Sequence, residues 1–91
     1  MKHVLKGEAS TRRVWLDGKE LLPDDSQAYR NHSPDGFAWG YGGSGPAQLA
    51  LAVMLKVTGE AFGYQDFKWK EITNLPQDQD FEIEFNLYKH G

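Results

Sequence analysis

The segment that most constrains the fold is residues 46–58, PAQLALAVMLKVT, which is apolar on almost every side. Proline is favoured in the first turn of a helix, where its missing N–H would be unpaired anyway, so Pro46 predicts the start of a helix with Gly45 as its N-cap. Gly59 follows the segment, where a left-handed glycine commonly ends a helix. Because a helix without a broad polar face must be covered by protein, this helix is predicted to form the centre of the core.

A chain of 91 residues is long enough for a single domain, and we expect residues 1–91 to form one. The absence of cysteine excludes disulfides, thiolate metal sites and thiol nucleophiles, and it fits a reducing compartment. The first residues, MKHVLKGEASTRR, lack the apolar stretch of a signal peptide, and the apolar helix is shorter than the ~20 residues that span a bilayer. We therefore expect a soluble protein of a bacterial or infected-host cytoplasm, without membrane association.

Four segments show strand patterns. Residues 2–7 predict a first strand, and residues 12–16 and 19–22 predict a hairpin around Asp17-Gly18, a pair typical of type I′ turns. Residues 81–87 alternate apolar and polar side chains, as in a half-buried strand. A strand of this pattern is compatible with a subunit interface, and hence with a homo-oligomer, but it does not require one.

The remaining segments complete an α+β prediction. Residues 24–36 are predicted to form an ordered loop that ends in a turn at 33–36, and residues 60–67 a second, short helix. Residues 68–73 are predicted to form a strand, followed by a turn. The expected fold is a small, mainly antiparallel sheet packed on one central buried helix.

The formal charge of −3 is unevenly distributed. Residues 1–45 carry six basic and six acidic side chains, whereas residues 46–91 carry four basic and seven acidic ones. A nucleic-acid-binding protein needs a clear basic surface, so we expect no direct nucleic-acid partner. Any phosphate-binding site must therefore depend on a few neighbouring residues and not on the overall charge of the protein.

The glycine-rich segment 40–45, GYGGSG, precedes the predicted helix and matches the string G-x-G-x-x-G. A dinucleotide site also needs a βαβ unit and an acidic residue about 20 positions further on; the nearest acidic residue downstream is Glu60, and no second parallel strand follows. The segment lacks the lysine of a phosphate-binding P-loop, and Pro46 stands where a nucleophile elbow requires glycine.

The physical basis of those motifs nevertheless applies here. The start of a helix carries unpaired N–H groups and partial positive charge, and Gly42 and Gly43 allow a ligand to approach the backbone closely. The hydroxyl of Ser44 is expected just outside the first turn. Two alternatives stay open: the glycines simply form a tight loop, or Ser44 or His32 acts in catalysis. Since no set of base, nucleophile and orienting group follows from the spacing, we expect a protein without enzymatic activity or cofactor.

The flanking residues are rich in hydrogen-bond donors and rings. Residues 30–33, RNHS, include an arginine, whose fork suits phosphate. Trp39 and Tyr41 alternate with small residues and are interpreted either as rings beside a ligand or as packing over the helix. The histidines at positions 3, 32 and 90 lack the spacing of metal ligands, so no metal site is expected.

The run RNHSPDGFAWGYGGSGPAQLALAVML, with YQDFKW at 64–69 and VWLDG at 14–18, resembles the domain-of-unknown-function 6166 family of small bacterial and phage proteins. The resemblance covers about residues 12–70 and implies no established activity. It implies a setting in phages, prophages and plasmids, and hence a role in host takeover or counter-defence. Together with the glycines, the motif marks candidate ligand-binding residues: Arg30, Asn31, His32, Ser33, Trp39, Tyr41, Ser44, Gln48 and Lys68.

Two binding functions follow as hypotheses. The first is a non-enzymatic protein that binds a small anionic ligand, a nucleotide or nucleotide-derived signal, at the glycine-rich loop and helix start. The second is an inhibitor that binds a host defence protein, for example a CRISPR-type complex, through a strip of carboxylates at i, i+2 spacing. The ordinary interpretation of that strip is a solvated strand face that discourages aggregation. Its members are Asp78, Asp80, Glu82 and Glu84.

Overall fold

The computed structural model describes residues 2–87 and contains a four-stranded antiparallel sheet in the order β3-β2-β1-β4. The strands are β1 (Lys2–Glu8), β2 (Arg13–Leu16), β3 (Lys19–Leu21) and β4 (Phe81–Asn86). Asp17 and Gly18, which join β2 to β3, have φ angles of 53° and 84°, as a type I′ turn requires. The hairpin and the α+β fold class are therefore confirmed, and no helix within residues 2–87 is long and apolar enough to cross a bilayer.

One face of the sheet carries the core, and the other is polar. Leu5, Val14, Leu16, Leu21 and Phe85 alternate inward and are buried against the central helix. The outward positions of β1 and β4 are charged and pair across the strands, for example Lys6 with Glu82. The sheet is thus covered by helices on one side only.

The central helix, α2 (Ser44–Thr58), is buried along most of its length, as its sequence predicts. It begins two residues before the predicted start, with Gly43 as N-cap, so Pro46 lies third in the helix rather than first. Proline is accepted there because the N–H groups of the whole first turn lack helical acceptors. The predicted end is confirmed: Gly59 has φ 78° and donates its N–H to the Leu55 carbonyl over 3.0 Å.

Three other local predictions are wrong: the loop from residue 24, the length of the second helix and the strand from residue 68. The segment predicted as a loop from residue 24 begins with a short helix, α1 (Asp24–Tyr29), whose Ser26 hydroxyl donates to the Pro23 carbonyl over 2.8 Å. The second helix is shorter than predicted: α3 (Tyr64–Phe67) starts after Gly63, which has φ 81°.

The segment predicted as a strand from residue 68 is instead a π-helical turn, Lys68–Ile72, that continues directly from α3. The Thr73 N–H donates to the Lys68 carbonyl five residues earlier, over 3.0 Å. This wider turn directs Phe67, Lys68 and Ile72 towards the interior and leaves Trp69 outside. The turn packs against α2, and this contact decides the conformation here.

Candidate functional site

Gln48 fixes the loop that precedes the glycine-rich segment. Its side chain is fully buried on α2, and its Oε1 accepts the N–H groups of His32 and Ser33 over 2.7 and 3.0 Å. Its Nε2 donates to the Ser26 hydroxyl and the Arg30 carbonyl over 2.9 and 3.1 Å. All four hydrogen-bonding positions of the amide are occupied, so Gln48 positions the loop 30–33 and presents no free group to a ligand.

In addition to its backbone contact with Gln48, His32 makes a contact through its side chain with α3. Its Nε2 lies 2.8 Å from the hydroxyl oxygen of Tyr64 on α3. Burial lowers the pKa of His32, and the charges of Arg30 and Lys68 lower that pKa further. The imidazole therefore favours its neutral form, and both cations lie within electrostatic range of it.

Lys68 is the most unusual charged group of this region. The residue is only 7% exposed, and within residues 2–87 its ammonium has no carboxylate, carbonyl or hydroxyl acceptor. Its Nζ lies 4.5 Å from the ring centroid of Trp69, a cation–π contact that compensates only part of the lost hydration. Lys68 is thus a largely buried residue whose ammonium has no counter-ion among the described residues. Because no buried side-chain nitrogen of residues 2–87 lacks a hydrogen-bond partner, its Nζ retains contact with solvent.

We call Arg30, His32 and Lys68 the basic cluster. The Arg30 guanidinium is exposed and forms no ion pair or hydrogen bond with the described part of the chain. The cluster joins the loop before α2 to the π-helical turn, which is distant in sequence. Sequence reasoning included all three residues among its candidates.

The first turn of α2 lies beside the glycine-rich loop. Its first helical bond runs from the Ala47 N–H to the Gly43 carbonyl, over 3.2 Å. Within residues 2–87 the N–H groups of Ser44 and Gly45 have no acceptor, and no side chain caps the helix. Ser44 is exposed and lies in the first turn, two positions further into the helix than predicted. Gly45, in contrast, is buried beside Ala38 and the Tyr41 hydroxyl, and binding of a ligand to these amides stays a prediction.

Gly40 has a structural role. Its φ is 85°, its N–H donates to the Ile72 carbonyl over 3.1 Å, and a Cβ there would lie 2.4 Å from the Gln77 Cα. Glycine is therefore required where the loop crosses the segment after the π-helical turn.

Gly42 brings the loop against an exposed ring. A Cβ at this position would lie 2.5 Å from the Cη2 atom of Trp69, so the glycine allows the loop backbone to approach the edge of the indole. A Cβ at Gly43 would similarly lie 2.3 Å from the ring of Tyr41. Both candidate glycines therefore accommodate aromatic side chains.

The two alternating rings of the loop have different environments. Trp39 is fully buried, donates its Nε1–H to the Gln79 carbonyl over 3.1 Å and packs edge-on against Phe81. Tyr41 is 41% exposed and lies over Gly43, with its hydroxyl facing the start of α2. Of the two predicted rings, only Tyr41 is accessible to a ligand. Asn31 is also exposed, at the outer edge of the loop.

Two residues of this region, Tyr64 and Trp69, were not among the candidate residues predicted from the sequence. Both lie in the YQDFKW segment, from which only Lys68 was taken as a candidate. The feature of the sequence that points to them is the presence of two aromatic residues, Tyr64 and Trp69, on either side of Lys68. Their spacing becomes informative only when the segment is known to be helical. With residues 60–67 predicted as a short helix and residues 68–73 as a strand, the sequence gives no reason for Tyr64 to contact His32.

The four acids proposed as a partner-binding strip are all engaged within the protein. Only Glu82 and Glu84 lie on β4, where they pair with Lys6 and Lys2 over 3.5 and 3.3 Å. Asp80 precedes the strand and accepts the Ala9 N–H over 2.7 Å. Asp78 lies 3.3 Å from Arg12. The shared strand face predicted for all four is wrong, because β4 starts at Phe81; a partner-binding role stays a prediction.

Three surface clefts of the described residues, of about 270, 650 and 170 Å³, lie away from the basic cluster and the glycine-rich loop. The first separates β3 from α1 and α2, and the other two flank Arg12. The candidate site is therefore distinct from these three clefts. Among residues 2–87 no three His, Asp or Glu side chains form a metal-binding group, and His90 lies outside the described residues.

The chemistry of the patch is that of a binding site. It combines two cations, a neutral imidazole, unpaired amides and exposed rings. Within residues 2–87 no hydrogen bond links the Ser44 hydroxyl to His32, so the arrangement of nucleophile and base that catalysis by Ser44 requires is not formed.

Comparison with known proteins supplies the family. No curated protein and no solved structure matches the chain. One family model, described as a family of unknown function (DUF6166), matches residues 4–87. Because this match extends over nearly the whole chain, including the Gln48 contacts, the basic cluster and the π-helical turn, the chain belongs to the DUF6166 family.

Proposed function

We propose that the protein binds a small anionic ligand on the patch formed by the basic cluster and the first turn of α2, without transforming it. The observation that carries the proposal is Lys68, a 7% exposed cation without an acidic partner among the described residues. An ammonium that keeps only part of its hydration and has no counter-ion is a favourable partner for a bound anion.

Two further features support an anion. Arg30 offers an unpaired guanidinium at the surface, and guanidinium groups bind phosphate and carboxylate oxygens in a fork. The Ser44 and Gly45 amides point from the positive end of a helix of 15 residues. Charge and donors alone favour phosphate-bearing ligands as a class.

The biological setting that we propose is a mobile genetic element. Its support is the resemblance of the central motif to small bacterial and phage proteins. A binding protein without catalytic machinery suits sequestration of an anionic host signal in the cytoplasm, as counter-defence requires. Nucleotides and nucleotide-derived signals are the ligands that the sequence analysis proposed for this role.

Isothermal titration of the full chain with inorganic phosphate, pyrophosphate and a panel of linear and cyclic nucleotides tests the proposal. Lys68→Met should weaken binding by about 1–3 kcal/mol, the scale of a hydrogen bond to a charged group. Lys70→Met, which removes an exposed lysine from the same turn, is the matched control and should bind normally. Absence of binding across the panel, or unchanged binding by Lys68→Met, would contradict the proposal.

His32 provides an independent readout. A bound anion would offset the positive charges that lower the pKa of His32, so that pKa should rise when pyrophosphate binds. Titration of the imidazole resonances by NMR, with and without pyrophosphate, measures the change. A ligand that binds elsewhere leaves the His32 pKa unaltered.

A further inference from the structure

Trp69 is an exposed indole in a fixed position. It is 57% exposed, although tryptophan is usually well buried in folded proteins. Its neighbours hold it in place: the Lys68 ammonium lies 4.5 Å from the ring centroid, and Gly42 of the glycine-rich loop meets the edge of the ring. These contacts cover one face and one edge of the indole. Because Trp69 is nevertheless 57% exposed, the second face of the indole is open to solvent.

The local backbone explains this exposure. Lys68 and Trp69 are adjacent in the π-helical turn, which directs the lysine inward and the indole outward. A regular strand over the same residues would place them on opposite faces of a sheet, with no reason for the ammonium to lie against its neighbour's ring. The turn therefore places a buried cation and an exposed aromatic surface side by side.

A simple inorganic anion uses only the charges of this patch. The indole adds a flat apolar surface, which a ligand occupies well when it carries a planar ring close to its anionic group. We propose that the ligand is a nucleotide, whose base stacks on the open face of Trp69 while its phosphate contacts the basic cluster. This inference rests on the proposed anion-binding function and adds a base-recognition residue to it.

The structure also favours Trp69 over Tyr41 as the stacking ring. Tyr41 lies over Gly43 with its hydroxyl towards Gly45, so its ring covers the loop, and it is less exposed than Trp69. Trp69 contacts the loop by an edge, which leaves a ring face free. Stacking on an already positioned indole requires little further ordering of the side chain.

The test compares ligands that differ only in the base. AMP and ribose 5-phosphate carry the same phosphate, and we expect AMP to bind more tightly by about 5- to 150-fold, the equivalent of the ~1–3 kcal/mol of one base stack. Trp69→Leu should remove that difference, whereas Trp69→Phe should retain most of it. Trp15→Leu, which removes an indole from the polar outer face of the sheet, is the control and should preserve the difference.

A second measurement avoids reliance on the stability of the variants. The indole N–H resonance of Trp69, assigned by its loss in Trp69→Phe, should shift when AMP is added to the wild-type protein and should stay in place with ribose 5-phosphate.

The outcomes separate the two proposals. If AMP and ribose 5-phosphate bind equally well and Lys68→Met abolishes both, the anion site stands and the nucleotide inference is overturned. If neither these ligands nor pyrophosphate binds, both proposals fail. If the Trp69→Leu variant retains the full preference for AMP, the proposed role of the indole is also overturned. A Trp69 resonance that shifts only with a macromolecular partner would overturn that role as well.

Discussion

The Nε2 of His32 and the hydroxyl oxygen of Tyr64 lie 2.8 Å apart, and this contact joins the loop before α2 to the helix that carries Lys68. The two residues are 32 positions apart in the chain. Their rings also meet at a centroid distance of 5.7 Å. The geometry of the basic cluster therefore depends on a long-range contact between two polar aromatic side chains.

Tyr64→Phe removes the hydroxyl and keeps the ring. We expect the free energy of unfolding to fall by about 1 kcal/mol, the usual net value of one hydrogen bond. Urea unfolding of the two proteins measures the change. Tyr29→Phe is the control, because Tyr29 is exposed and within residues 2–87 its hydroxyl has no partner. Equal stability of wild type and Tyr64→Phe would show that the contact is not formed in solution.

The lowered pKa of His32 predicts a pH dependence of stability. In the unfolded chain His32 takes up a proton near its ordinary pKa of about 6.5, whereas burial and two cations oppose protonation in the folded state. Since the unfolded state then binds more protons, the free energy of unfolding should decrease as the pH falls below about 6.5, down to the folded-state pKa, and change little beyond it.

Urea unfolding at several pH values between 5.5 and 7.5 tests this prediction, because most carboxylates titrate below this range. His32→Gln should show a shallower decrease than wild type over the same interval. Parallel curves for the two proteins would assign the pH dependence to other groups.

Gln48→Leu fills a similar volume and removes all four hydrogen bonds of the amide. We expect a loss of stability on the order of 3 kcal/mol, because several backbone and hydroxyl groups lose their partners in or near the core. Thermal and urea unfolding measure the loss, and Lys56→Leu on the exposed end of the same helix is the control. A change below about 0.5 kcal/mol, typical of surface positions, would contradict the assigned role.

Lys68→Met should separate stability from binding. Lys68→Met replaces a largely buried lysine by an apolar chain of similar length. Because the ammonium has no counter-ion and keeps only part of its hydration, we expect the folded state to be equally stable or more stable. Circular dichroism and urea unfolding check this, with Lys70→Met as the matched exposed substitution. If Lys68→Met instead lowers the free energy of unfolding by more than about 2 kcal/mol, the ammonium stabilises the fold and ceases to be evidence for a ligand.

Two glycines of the loop should respond differently to alanine. Gly40→Ala introduces a Cβ at positive φ against the Gln77 backbone, and we expect a loss of at least about 1–3 kcal/mol. Gly42→Ala displaces the outer end of the exposed Trp69 ring, which can move at lower cost, so stability should fall less while the indole N–H resonance shifts. The reverse order of stabilities would refute the distinction between a structural and an accommodating glycine.

Local patterns were sufficient for the hairpin, β4 and α2. Asp17-Gly18 adopts positive φ angles with little dependence on its surroundings, and the alternation in residues 81–86 fits one buried face. Arg30 and His32 could also be proposed from the sequence, because they precede a glycine-rich helix start, whereas Lys68 became a candidate only through the resemblance to the family. Exposure could not be predicted: Trp39 and Tyr41 have equivalent positions in the alternation, yet only Trp39 is buried.

The sequence by itself determined that a nearly all-apolar helix forms the core and that a glycine-rich loop leads into it, because these properties depend on neighbouring residues. Only the tertiary structure decided which polar groups become partners. Residues 68–73, KWKEIT, are predicted to form a strand, yet packing of Phe67 and Ile72 on α2 produces a π-helical turn, buries Lys68 and exposes Trp69. Long-range burial outweighs local preference there because the free energy of covering α2 exceeds the small differences between backbone conformations.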